Sequence, residues 1–310
     1  MKSIIWIQQV QRLFAAGALA GALLCSVSAH AGVGMLAGGE SLYNSDLSGT
    51  GGNTFWDGAR QKIPSICKRR NGSLVQGYEY GYSYFHTLIA NATLAYRSCG
   101  QINTRVRVAG GAPGFRAITP VLAGQNWGLG DVQLGVRTRL NHSNTAAWEA
   151  TLTIPTGYDN NSPSRLGRGA LGLGLGLRFA SAATVIPSSW GWKLGTTYTY
   201  FFTSKGNSLR SFVELNYAFT ASNFEQTGDF ITLRISNSFG FANGGVQRTL
   251  FFNQLPRSLT NSDVTRLGLQ YSHSFANGWS TSFRIVKSIF GRSTPVDYSI
   301  GWGLSHRWAD

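Results

Sequence analysis

Over most of its length the chain alternates large apolar residues with small or polar ones at a period of two. The plainest case is GALGLGLGLRFA at 169–180, where Leu171, Leu173, Leu175 and Leu177 alternate with Gly172, Gly174 and Gly176. A period of two puts the leucines on one face of a strand. A nucleotide-binding glycine loop needs the spacing G-x-G-x-x-G between a strand and a helix. Here the spacing is G-x-G-x-G, and Arg178 and Phe179 continue the alternation, which argues against such a loop.

The same pattern predicts strands at 73–82, 87–97, 102–108, 128–140, 145–155, 189–202, 208–219, 229–239, 263–275, 278–290 and 296–308. With the leucine–glycine strand they number about twelve, several of them near the roughly 9–11 residues that a tilted membrane strand needs. GGVQRTLFF at 244–252 is read as a hairpin or folded loop segment.

Alternation alone also suits a soluble β-sandwich, and the connections discriminate. Counted back from the C-terminus, 276–277, 221–228, 181–188, 141–144 and 98–101 fall on one side. On the other fall 291–295, 240–262, 203–207, 157–168, 109–127 and 83–86. The three longest share a side, as in outer-membrane barrels with short periplasmic turns and longer outer loops. The expected fold is therefore all-β, a transmembrane antiparallel up-and-down β-barrel whose leucine row meets lipid. The glycine row then faces inward and leaves room there.

Composition supports this solvent. Charged residues make up 13% of the chain and aromatics 13%, against about 25% charged in a soluble domain. No stretch after residue 31 reaches 18 consecutive apolar residues, so the bilayer would be entered by strands. Trp190 and Trp192 begin one outward face, and Tyr198, Tyr200 and Phe202 end it, giving an aromatic girdle at each interface. Residues 1–31 have a weakly basic start, the apolar run LFAAGALAGALLCSVS and the cleavage signature Ala29-His30-Ala31, which read as a secretory signal peptide. The expected place is the outer membrane of a Gram-negative cell, with membrane lipid and the barrel-assembly machinery as partners. Residues 32–72, rich in Gly, Ser and Asn, are expected to form a periplasmic or plug segment before a barrel at 73–310. In an exported chain Cys67 and Cys99 suggest a disulfide at the periplasmic end, closing a loop worth roughly 3–4 kcal/mol.

The formal net charge is +14, including Lys2 and Arg12 of the signal. The bases are scattered, with only Lys68-Arg69-Arg70 clustered, and an exported protein rarely meets nucleic acid, so no nucleic-acid partner is expected. Instead the inward rows collect them: Arg105, Arg107, Arg137, Arg139, Arg178, Lys193, Arg210, Arg234, Arg266, Arg284 and Arg307. The inward acids are Glu79, Asp131, Glu149, Glu214 and Asp297. Rings of Arg or Lys favour anions through pores, which points to a channel for small organic acids or acidic sugars. The competing reading is a barrel filled by Arg–carboxylate networks for structure alone, with Glu149 paired to Arg137 or Arg139.

An enzyme is the alternative from another class. NHSN at 141–144 sets His142 beside Ser143, but neighbours on a strand point to opposite faces, out of nucleophile–base reach. His273 and His306 fall on outward faces near strand ends, as interfacial side chains. No lipid hydrolase is expected, and the histidines show no metal-ligand spacing. No metal or cofactor is implied.

Three segments, YEYGYSYFHTL (78–88), GLGDVQLGVRTRL (128–140) and ATLTIPTG (150–157), resemble the outer-membrane family called "MetA-pathway of phenol degradation". The most specific pieces are Gly128-Leu129-Gly130-Asp131 and Pro155-Thr156-Gly157. The resemblance implies a barrel-forming transport protein tied to aromatic-compound catabolism, with no catalytic residues. It adds a second transport reading, a carrier for hydrophobic or aromatic solutes, which would need a kinked strand or lateral gap.

Overall fold

Alternation becomes antiparallel pairing around a closed ring. The computed structural model describes residues 34–57, 59–101, 124–156, 169–181, 190–202, 206–222, 227–241 and 262–309. The expected signal peptide, the strand at 102–108 with Arg105 and Arg107, and the segment 244–252 lie outside the described residues.

The strands are β1 (Glu40–Trp56), β2 (Lys62–Gly81), β3 (His86–Gln101), β4 (Gly124–Leu129), β5 (Val132–Arg139), β6 (Ala146–Ile154) and β7 (Gly172–Ala180). They continue with β8 (Trp190–Phe201), β9 (Asn207–Ser222), β10 (Thr227–Phe241), β11 (Ser262–Ser274), β12 (Trp279–Arg292) and β13 (Thr294–Ala309). Successive strands pair, and β1 pairs with both β2 and β13, which closes the sheet. β4 and β5 lie in tandem on β3, along Leu94–Cys99 and His86–Asn91 respectively. They share one place in the wall, so the barrel has twelve strand positions.

The membership of the ring differs from the expectation. β1 and the first half of β2 occupy the segment expected to be periplasmic or a plug, so the barrel begins near residue 40 and not at 73. The reason lies in side-chain size. The outward positions of β1 are mostly small, and neighbouring aromatics reach across them: the Ser41 hydroxyl bonds the Tyr78 hydroxyl at 3.0 Å, and the Tyr298 hydroxyl lies 3.3 Å from where a Cβ on Gly51 would stand.

β3 pairs directly with β5, with no further strand between them, and this moves two connections. The hairpin after β2 joins the end that holds both termini, where the Tyr84 hydroxyl donates to the His142 carbonyl at 3.2 Å. Residues 98–101, expected as a turn, continue β3. Cys67 stands opposite Gln101 and Cys99 opposite Arg69, toward the far end of the β2–β3 ladder. That is the end away from the termini, not the periplasmic end expected. The connections at 102–123, 155–171 and 242–261 all leave from this same far end, so the asymmetry of loop lengths holds.

Strand lengths are unequal. β2 has 20 residues, whereas β6 and β7 have 9 each. On β7 the leucines face out, Leu175 being 66% exposed, and Gly172, Gly174 and Gly176 are buried. Contrary to the expectation from sequence, these glycines do not leave room inside. A Cβ on Gly174 would collide with the Thr151 hydroxyl, and one on Gly176 would come 2.7 Å from Thr197 Oγ1. The threonines of β6 and β8 already fill that space.

Leu175 stands midway along a strand just long enough to span. Leu175→Arg should lower the unfolding free energy by about 2–4 kcal/mol, measured by denaturant titration of the barrel in lipid vesicles.

Candidate functional site

The rows opposite the exposed leucines and aromatics line the interior. Register places Glu79, Arg137, Glu149, Arg178, Lys193, Glu214, Arg234, Arg284 and Arg307 on them, with Arg139, Arg210, Arg266 and Asp297. Asp131 sits instead at the break between β4 and β5. Sequence reasoning missed Glu40, Asp46, Arg69 and Arg97, which pairing puts on interior rows of β1, β2 and β3. Once β1 is read as a strand, their parity with Ser48 and Ser73 is the signal that finds them.

The charges divide into three groups along the barrel. At the end near the termini Arg137, 3% exposed, donates to Glu149 at 3.0 Å and to Glu79 at 3.0 Å. Glu149 also meets Arg178 at 2.9 Å. The expected Glu149 pair is therefore with Arg137, while Arg139 lies over the Tyr84 ring at 4.1 Å. Arg137 further donates to the Gly34 carbonyl at 2.5 Å. The segment from Gly34 to Ala37 turns into the mouth here: Leu36 N donates to Thr87 Oγ1 at 3.2 Å, and Met35 packs with Ala147 and Ala180. Glu40 holds the segment's exit, accepting from Ala37 N at 2.7 Å and from Arg307 at 2.6 Å.

In the middle, Arg284 pairs with Asp46 at 2.6 Å and Arg234 with Glu214 at 3.0 Å. Lys193 stands opposite Glu214 in register. A cavity of about 440 Å³ opens on this wall, between β10 and β13 and reaching Thr50 of β1. Arg266 lines it, and neither Arg266 nor Arg210 has an ion pair among the described residues. At the far end Asp263 holds Arg60 at 3.0 Å and Arg292 at 3.3 Å, and Arg69 comes within 3.9 Å of Asp297.

The two motifs singled out in the sequence meet in space. At Gly130 the wall is interrupted; Gly130 N donates to the Thr93 carbonyl at 2.6 Å. The Thr156 hydroxyl lies 2.8 Å from the carbonyls of both Leu129 and Gly130. Thus Gly130 and Asp131 form a break between β4 and β5, and Thr156 supplies a hydroxyl where the strand partner is lost.

The histidines take interfacial places. His142 packs against Tyr84 and Phe85, and the Ser143 hydroxyl lies 3.1 Å from Thr145 Oγ1. His306 stacks between Trp279 and Trp308, and His273 bonds Asp229 at 2.9 Å. No group of three or more metal-ligating side chains occurs among the described residues.

No protein-family model and no curated protein matches the sequence. Among solved structures, the chain is similar to the COG4313 outer membrane channel from Pseudomonas putida F1, with a TM-score of 0.62 and 12% identity over 88% of this chain and 97% of that one. The translocator domain of the autotransporter NalP from Neisseria meningitidis gives 0.49 at 12% identity, covering 89% and 91%. The toluene transporter TbuX of Ralstonia pickettii gives 0.30 at 10%, covering 88% and 90%. At such an identity the first likeness shows a shared β-barrel fold, and the two lower scores add nothing to it.

Glu149, 7% exposed, is shared by two guanidiniums, and removing it leaves Arg178 without an ion pair and Arg137 with Glu79 alone. Glu149→Ala should cost about 1–3 kcal/mol of stability, read by denaturant unfolding in vesicles.

Proposed function

We propose that the chain is an outer-membrane channel whose interior favours small anionic organic solutes. In this reading residues 1–31 direct export and are removed, the barrel-assembly machinery inserts the chain, and acyl chains surround it. The observation that carries the proposal is the excess of interior bases, with Arg210 and Arg266 free of any ion pair among the described residues. Uncompensated guanidiniums inside a low-dielectric wall raise the local concentration of anions.

A second reading, a carrier for hydrophobic or aromatic solutes, is favoured by the interrupted wall at Gly130 and by Met35 and Leu36 standing in the mouth. Current separates the readings. In planar bilayers under a potassium chloride gradient, the anion channel gives a reversal potential on the chloride side. The double variant Arg210→Gln, Arg266→Gln moves that potential toward zero. A cation preference refutes the anion channel. No current at all supports the carrier or leaves the ion-paired interior as scaffold alone.

We also propose the Cys67–Cys99 disulfide, between adjacent strands and two positions apart in register. The exported chain should resist maleimide labelling under denaturing conditions until it is reduced.

A further inference from the structure

The cavity of about 440 Å³ holds chemistry that the interior ion pairs do not use up. Two of its guanidiniums are committed, Arg234 to Glu214 at 3.0 Å and Arg284 to Asp46 at 2.6 Å. The acid on the same wall, Asp297, has Arg69 within 3.9 Å. Arg266 stands between these pairs, opposite Ser236 on β10 and Ser288 on β12, with no ion pair among the described residues. Ser288 is 2% exposed, and its hydroxyl has no hydrogen-bond partner there. A buried hydroxyl left unpaired is costly, and this one stands opposite Arg266, which attracts Asp297 across the cavity without forming an ion pair.

The rest of the lining decides what accompanies the negative charge. Thr50, Ser236, Gln270 and Ser299 present hydroxyls and an amide. Val286 is the only apolar side chain on the interior rows of this cavity, because Leu269 and Tyr298 belong to outward rows and are 52% and 61% exposed. An aromatic acid would strand most of these polar groups, whereas a hydroxylated acid would satisfy them. We propose that the cavity binds one sugar-acid-sized hydroxycarboxylate, with its carboxylate on Arg266 and its hydroxyls on the Ser, Thr and Gln side chains. The proposal rests on the anion-favouring reading of the barrel and gives that reading a site.

The test is calorimetric titration of the full mature chain in detergent with sodium galacturonate, galactose and sodium benzoate. Galacturonate should bind at least about tenfold more tightly than either control. Arg266→Gln should weaken it by a similar factor, and Arg266→Lys by less, since the ammonium keeps charge without the two-pronged fit. Heat-modifiable migration in gels verifies that each variant is a folded barrel. Benzoate binding as tightly as galacturonate, galacturonate binding untouched in folded Arg266→Gln, or no galacturonate binding would each overturn the site. The same preparations in planar bilayers separate the two ideas. Chloride preference without galacturonate binding removes the site and keeps the channel, and binding without current keeps the site and removes the channel.

Discussion

A backbone amide in hydrocarbon has no water to bond, so a sheet that spans a bilayer must have no free edge. Here the closure falls to β1, which pairs with β13 on one side and β2 on the other. It is an unpromising strand by composition, yet the whole wall depends on it. Closure is a demand on backbone geometry, and a segment of Ser, Asn, Thr and Gly can meet it when its neighbours supply the bulk. Tyr78 and Tyr298 do so, lying over its small outward positions.

Closure also fixes what the interior can be. Alternation forces half of each strand's side chains inward, and the barrel handles the charges among them unevenly. Near the termini, Arg137, Glu79, Glu149 and Arg178 saturate one another and capture the Gly34 carbonyl. At that end Arg137 gives its Nε and both Nη groups to carboxylates or the carbonyl. Along β10 to β12 the pairing is incomplete, and there the wall stands back to form a cavity. Saturated and incompletely paired charges thus occupy different levels of the same cylinder.

Much of this was legible in the residues. The leucine–glycine strand, the asymmetry of loop lengths and a pairing of Glu149 with Arg137 or Arg139 follow from the alternation, and the count of twelve agrees because β1 takes the place of the strand expected between β3 and β5. What parity could not supply was β1, because Ser and Gly fill most of its outward row around Tyr43 and Leu47, and Leu42 breaks the pattern from inside. Missing β1 and the first half of β2 hid Glu40, Asp46 and Arg69, and counting a further strand between β3 and β5 reversed the end assigned to the cysteines and the 83–86 hairpin. The role of the glycines was misread for a related reason. Whether an absent side chain leaves a void depends on the strands beside it, and Thr151 and Thr197 are visible as neighbours only once register is known. Sequence distance likewise concealed that Thr156 serves the break at Gly130.

The unequal strands carry a consequence for how the protein floats. β6 and β7, with 9 residues each, reach about the minimum span of the apolar layer, whereas β2, with 20, runs well past it. The short flank therefore sets the draught of the vessel in its lipid sea. Longer acyl chains must compress beside β6 and β7 or make the cylinder lean. The tall flank then stands proud like a freeboard, and the rim dips along β6 and β7.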